Sequence, residues 1–260
     1  MTKTISTART AYHVSRTVLR SLPYRLGLSS PWPNSFMSWI PDRYSGNAKK
    51  ALNRSGFLFA NDIKKFILGN KANNLGDLAR FYFLNLVLEQ VAKEQLTGDV
   101  AELGVYKGNT ATLFADFARA KGKTAYLFDT FTGFSKIDIR GLDSEKELEF
   151  RDTSLEKVKQ FVGTESVRYV AGYFPDSTAT IPNNLRFCAV HLDCDLYSPM
   201  KAGLEYFYPR LVSGGFMIMH DYSSLYWDGA ESAVDEFLSD KAERVTPVPD
   251  KSGTAVFRKL

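Results

Sequence analysis

The sequence predicts a doubly wound α/β fold, a mostly parallel sheet with helices on both faces and an antiparallel hairpin at the C-terminus. Three observations lead there. From residue 98 onward, short apolar runs of strand length alternate with stretches whose apolar residues recur at helical spacing. The connections between them are short, and parallel neighbours joined by helical crossovers are what that rhythm produces. The closing segment "RVTPVPDKSGTAVFRKL" reads as two strands around Asp-Lys-Ser-Gly, a hairpin signal.

Taken in order, residues 1–74 lack a strand-helix rhythm. They contain the aromatic, proline-punctuated stretch "SSPWPNSFMSWIPDRY" and are expected to form an irregular or helical cap. In "NNLGDLARFYFLNLVLEQVAKEQLTG" the apolar residues Leu78, Phe81, Tyr82, Leu84, Leu88 and Val91 mark a helix that ends near Gly98. A main domain over 75–260 follows. "GDVAELGV" is the first strand, "NTATLFADFARAKG" a helix, "TAYLFDTF" the second strand, "SLEKVKQFVG" a helix, "VRYVAGYF" the third strand and "RFCAVHLDCD" the fourth. "SPMKAGLEYFYPRLVSGG" reads as a helix leading into a fifth strand, "FMIMHDY", and "GAESAVDEFLSDKA" as the last helix. The charged, irregular insertion at about 132–152 suits a lid. Strand-helix alternation with a terminal hairpin points to the class I methyltransferase variant of the doubly wound fold.

Composition bounds the function. At 260 residues, 44% hydrophobic and 24% charged, the chain suits a soluble globular enzyme with one large core. A net charge of +4 is too small for a dedicated nucleic-acid binder, so no nucleic-acid partner is expected. Lys3, Arg9, Arg16, Arg20 and Arg25 stand at the front with no acid among them. A cationic arm explains them better than a transit peptide, because no apolar core of signal-peptide length follows. No apolar run reaches the roughly 18 residues of a transmembrane helix. Cys188 and Cys194 fall in or beside a buried strand and are expected as reduced thiols, which fits a cytoplasmic setting.

Four stretches carry candidate chemistry. In "AELGVYKGNTATLF" the spacing Glu102, Gly104, Gly108 lies where the first strand turns into its helix, a usual ligand site in open α/β sheets. The dinucleotide fingerprint is absent, since Tyr106 and Asn109 stand where further glycines would be needed. An acid with two glycines suits a cofactor without pyrophosphate, such as S-adenosylmethionine, whose ammonium Glu102 could hold; a tight turn with an incidental acid meets the same spacing. Asp129 ends the second strand about twenty positions on, where ribose hydroxyls find a carboxylate, although it could equally cap the next turn. "HLDCDLYSP" puts His191, Asp193 and Asp195 at an otherwise apolar strand end, with His191 best read as a hydrogen-bonded core residue. "MIMHDY" ends on His220 and Asp221. If the fourth and fifth strands are neighbours, Asp193 and Asp221 converge, and two carboxylates there repel unless a proton or a cation, Mg²⁺ foremost, lies between them.

With those residues stated, the chain resembles the macrocin O-methyltransferase family, whose members methylate sugar hydroxyls on antibiotics such as macrolides. The likeness runs from about Leu75 to Tyr222 through "GDVAELGVYKGNTA", "FDTFTGF", "AGYFPDS", "LDCDLYSP" and "LVSGGFMIMHDY". It implies a Rossmann-like fold, S-adenosylmethionine as methyl donor, and usually a Mg²⁺ ion on the acceptor's vicinal hydroxyls. Carried over residue by residue, Glu102, Gly104 and Gly108 would hold the methionine part and Asp129 the ribose, with Tyr106, Asn109, Thr110, Phe131 and Gly172 also binding the cofactor. Asp193 would touch both cofactor and metal, Asp195 would sit beside the acceptor, and Asp221 would be a second metal ligand. The family commonly has two adjacent acids before the tyrosine; here the first is His220, which leaves it either a ligand or a base.

The function expected is S-adenosylmethionine-dependent O-methylation of a hydroxyl on a sugar or other polyhydroxylated small molecule, assisted by a divalent metal, in a homo-oligomer. Asp193, Asp195 and His220 are the candidate catalytic groups. A non-catalytic scaffold that binds the cofactor would have no need for the cluster at 193, 195, 220 and 221. An NAD or nucleotide-sugar enzyme is disfavoured by the missing third glycine.

Overall fold

The computed structural model describes residues 48–55, 65–66, 70 and 77–260, all within the compact unit Ile40–Leu260. The basic N-terminal arm and most of the expected cap lie outside the described residues. Five strands run parallel: β1 (Asp99–Leu103), β2 (Ala125–Asp129), β3 (Val167–Ala171), β4 (Phe187–Leu192) and β5 (Leu211–Met219). Two short ones, β6 (Thr246–Pro247) and β7 (Ala255–Arg258), complete the sheet in the order β3-β2-β1-β4-β5-β7-β6, with β7 antiparallel to both neighbours. The terminal hairpin thus joins the sheet as predicted.

The described helices are α1 (Ala48–Ser55), α2 (Leu78–Lys93), α3 (Ala111–Lys121), α4 (Leu155–Val162), α5 (Tyr197–Phe207) and α6 (Asp228–Leu238). They divide between two apolar layers. Leu84 and Leu88 of α2, Phe114 of α3 and Val158 of α4 pack on one face of the sheet, and Leu204 and Phe207 of α5 with Val234 of α6 pack on the other. β4 is buried along its whole length, which explains its unbroken run of buried residues: a parallel strand covered on both faces needs no polar alternation. β5 alternates, Phe216 and Ile218 entering one layer and Met217 and Met219 the other.

One boundary differs from the prediction. The helix read through residue 215 ends at Phe207, a single 3-10 turn covers Tyr208–Arg210, and β5 already starts at Leu211. Pro209 is the cause, since it has no N–H to give and its ring clashes with the preceding turn. Other ends follow local chemistry. Gly122 takes the left-handed cap of α3 at φ 62°, and the Ser154 side chain accepts the Lys157 N–H at 3.3 Å to open α4. Ser154→Ala should cost about 1 kcal/mol, read as a fall in Tm of roughly 2–4 °C. An unchanged melting curve would show that the cap carries no stability.

Candidate active site

The sheet brings four strand ends to one level. Glu102 pairs with His191 and Leu103 with Leu192 across β1 and β4, and Leu192 pairs with Met219 across β4 and β5. Beyond the strands the ladder continues by one rung: Gly104 N donates to Phe128 O at 2.9 Å, Asp193 N to Leu103 O at 2.8 Å and His220 N to Leu192 O at 2.8 Å. Gly104, Asp129, Asp193 and His220 therefore face one crevice at the C-terminal edge, where open α/β sheets bind ligands. The crevice encloses about 250 Å³, near the lower end of the roughly 300–1,000 Å³ typical of small-molecule pockets.

Its wall contains Gly104, Tyr106, Asn109, Thr110, Asp129, Gly172, Asp193, Asp195, His220 and Asp221, all anticipated from the sequence. Glu102, Gly108 and Phe131 are not on the wall. Glu102 is fully buried behind it, where one oxygen accepts the Thr110 hydroxyl and lies 2.8 Å from His191 Nδ1. Glu102 thus supports Thr110, which does face the crevice. Burial raises the Glu102 pKa, opposed by the bonds from His191 and Thr110. A Cβ at Gly108 would come within 2.6 Å of Val162 Cγ2, so this glycine admits α4 rather than a ligand. Phe131 is a core residue, its ring 6.3 Å from that of Tyr169. His191 is the hydrogen-bonded core histidine that its apolar neighbours suggested.

Asp129 organises the turn as well as facing the crevice. Its Oδ2 accepts the N–H groups of Val105 at 2.7 Å and Tyr106 at 2.9 Å, and its Oδ1 accepts that of Phe131 at 2.5 Å. The cap reading and the crevice-facing reading both hold. Burial pushes the Asp129 pKa up while the three N–H groups pull it down, and burial prevails.

The acidic end of the crevice contains a residue that the sequence reading missed. Arg80, on α2, lies 3.2 Å by Nη1 from Asp193 Oδ2 and 2.8 Å from His220 Nε2. His220 Nδ1 is 2.7 Å from Asp221 Oδ2 and 2.8 Å from Asp193 Oδ1. A guanidinium only donates, so in the neutral ring Nε2 accepts and the hydrogen is on Nδ1, shared between two carboxylates. Burial lowers the His220 pKa, but Asp193 and Asp221 outweigh it and raise the value well above that of an ordinary histidine. In the protonated ring that this shift favours, Nε2 also carries a hydrogen and stands as a second cation beside Arg80, and Nδ1 keeps its hydrogen in either state. Burial likewise disfavours charge on Asp193, yet His220 and Arg80 more than reverse this and hold it well below the usual carboxylate range. Asp195 goes the other way: burial, then Asp221 and Asp193, lift it well above that range.

Asp193, His220 and Asp221 each offer a ligand atom within 4.8 Å of the others, the grouping expected for a metal. The imidazole does not fit a divalent ion in this arrangement. A metal on Nδ1 needs that nitrogen stripped of hydrogen and the hydrogen of Nε2 given to an acceptor, as metal-bound histidines give theirs to a carboxylate or carbonyl. Here the partner of Nε2 is a cation with no acceptor.

A sequence signal for Arg80 existed. It stands four residues before Leu84 and eight before Leu88, on the buried stripe of a helix. Other wall residues were not anticipated: Asp138, which accepts the Tyr173 hydroxyl at 2.7 Å, and the rings of Phe134, Phe150 and Trp227. Phe134 lies 5.0 Å from Phe150 and 5.7 Å from Trp227, edge to face. Two of these rings come from the insertion, whose aromatic residues were masked by its charge. Cys188 and Cys194 are both free and buried. No helix among the described residues is long and apolar enough to cross a membrane.

Comparison with known proteins agrees with this geometry. The 8-demethyl-8-(2,3-dimethoxy-alpha-L-rhamnosyl)-tetracenomycin-C 4'-O-methyltransferase of Streptomyces olivaceus is 30% identical over 205 residues, 72% of this chain and 75% of the relative. The mycinamicin III 3''-O-methyltransferase of Micromonospora griseorubida is 29% identical over 58% of this chain and 65% of its own. Among solved structures, the O-methyltransferase NovP superposes with a TM-score of 0.63 at 24% identity, over 72% of this chain and 81% of that one. The calicheamicin methyltransferase CalS11 gives 0.58 at 20% identity, over 85% and 93%, so the fold is shared. The family model for Macrocin-O-methyltransferase (TylF) matches residues 71–259, well over half of the chain, and the protein belongs to that family of O-methyltransferases.

Proposed function

We propose that the protein transfers a methyl group from S-adenosylmethionine to a hydroxyl of a sugar or sugar-bearing small molecule. The observation that supports this most is the convergence of Gly104, Asp129, Asp193, Asp195, His220 and Asp221 on one crevice of a family whose named members methylate glycosylated natural products. S-Adenosylmethionine supplies, when bound, a methyl on a positively charged sulfur. The residues of this chain have three tasks around it. The turn Gly104–Thr110 and Asp129 hold the donor, the rings of Phe134, Phe150 and Trp227 shield one side of the crevice from water, and Asp195 takes the hydroxyl proton. With the donor bound, the acceptor oxygen would take the methyl as the carbon–sulfur bond gave its electron pair to sulfur, and Asp195 would receive the hydroxyl proton, so these residues act mainly by positioning.

Binding of the donor is tested through Asp129. In Asp129→Ala the turn loses three N–H acceptors and the cofactor one charged partner. The expected cost is about 1.5–3 kcal/mol, roughly a ten- to hundredfold rise in Kd. Calorimetry with S-adenosylmethionine reads this directly. Unchanged affinity in a variant with native circular dichroism would remove Asp129 from the binding site.

A further inference from the structure

We propose that the fixed positive charge at the acceptor end of the crevice is the guanidinium of Arg80, and that the protein binds no divalent ion there. This rests on reading the crevice as the methyl-transfer site.

The guanidinium is held from behind. Arg80 is 4% exposed and its Nε lies 2.9 Å from Asp77 Oδ2. Asp77 is 1% exposed, and its other oxygen accepts the Lys251 N–H at 3.1 Å, which ties the start of α2 to the turn of the C-terminal hairpin. In front, Nη1 bonds one oxygen of Asp193 and Nε2 of His220. The other Asp193 oxygen and Asp221 Oδ2 share His220 Nδ1 at 2.8 and 2.7 Å. All three groups offered for a metal are thus engaged inside the cluster, two of them by Arg80.

The conflict is one of hydrogen placement as much as of charge. A metal on Nδ1 requires that nitrogen stripped of hydrogen, whereas Nδ1, set between two carboxylates, keeps its hydrogen in both the neutral and the protonated ring, and Nε2 faces a guanidinium with no acceptor. A carboxylate at position 220 would not face that choice. The guanidinium is planar, permanently charged and weakly hydrated, which suits a buried position. Its charge beside the crevice stabilises the negative charge that builds on an acceptor oxygen as its proton leaves for Asp195.

The test titrates Mn²⁺ into full-length protein stripped with chelator and reads free ion by electron paramagnetic resonance. Wild type should show no stoichiometric site. Arg80→Met should bind one Mn²⁺ at least about tenfold more tightly, because a wrongly disposed partner of a metal-bound histidine is worth roughly 10–100-fold in affinity. Arg80→Lys should stay like wild type, since an ammonium also only donates; a merely structural role for Arg80 would not produce a gain with methionine that lysine reverses. Should Arg80→Met fail to fold, His220→Asp takes its place, with tighter Mn²⁺ binding expected and unaltered binding counting against the idea. A tight wild-type site that disappears in Asp221→Asn, or an Arg80→Met protein no tighter than wild type, overturns the proposal. Calorimetry with S-adenosylmethionine on the same samples keeps the two readings apart: failure to bind it defeats the functional reading whatever Mn²⁺ does, whereas a donor-binding wild type with a tight Mn²⁺ site defeats only the present inference.

Discussion

Asparagine at position 195 should lower kcat by about 10²–10⁴-fold, the usual yield of a positioned general base, with little change in S-adenosylmethionine affinity. Three carboxylates face the acceptor end, and their surroundings sort them. Asp193 is held ionised, against the penalty of burial, by His220 and Arg80, which makes it the poorest proton acceptor. Asp221 shares the Nδ1 hydrogen of His220. Asp195 is pushed well above the ordinary carboxylate range by burial, with Asp221 and Asp193 adding to the effect and His220 opposing it. Environments that push neighbouring carboxyl groups apart mark which one handles the proton. Backbone geometry agrees, because Asp195 sits at φ 60°, a left-handed conformation that aspartate and asparagine tolerate better than other side chains. The replacement keeps size and backbone preference and removes only the ability to take a proton.

The pH dependence has a definite sign. Asp195 accepts the proton only when ionised, so the wild-type rate should rise with pH along a limb lying above the ordinary aspartate value of about 3.9. That limb should be missing from Asp195→Asn. Steady-state rates across pH, with a rhamnosylated aglycone as trial acceptor, supply the measurement. An asparagine variant as fast as wild type would move the proton to another group.

Much of this was legible in the sequence, for reasons that can be named. The central parallel strands announce themselves because both faces are covered and they read as apolar runs, β4 most plainly. The strand-end acids stand out because carboxylates are costly in such runs, and register then delivers them to one place. Local patterns failed where spatial partners decide the role. Glu102 looked like a ligand-binding acid and is a buried support for Thr110, since its neighbour across β1 and β4 is His191. Gly108 looked like a cofactor glycine and makes room for Val162. Arg80 was passed over inside an apolar helix because its partners, Asp193 and His220, are more than a hundred residues away. The end of α5 was misjudged where one proline outweighed a continuing amphipathic pattern.

Among the described glycines, alanine should be most damaging at Gly104. This glycine is at φ 89°, which an L side chain rarely adopts, and a Cβ there would lie 1.9 Å from the carbonyl oxygen of Asp193 and 2.6 Å from its carbonyl carbon. Those atoms belong to backbone and cannot turn aside as a side chain would. The strain of a positive φ and the overlap together should cost about 2–4 kcal/mol, built from roughly 1 kcal/mol for the conformation and 1–3 for overpacking. For a domain of this size that is a fall in Tm of about 10 °C. The damage should also reach function by a traceable route. Relief requires the β1 and β4 ends to part, breaking the bond from Asp193 N to Leu103 O. Asp193 would then leave Arg80 and His220, and the turn that Asp129 ties down through Val105 and Tyr106 would shift with it. Gly104→Ala should therefore lose S-adenosylmethionine binding even below its lowered melting temperature, whereas Ser154→Ala, which removes a helix cap and no residue of the crevice wall, should keep it. Thermal melts and calorimetry on the two variants decide the matter, and a Gly104→Ala protein that melts and binds like wild type would show that the ends of β1 and β4 yield more easily than their hydrogen bonds imply.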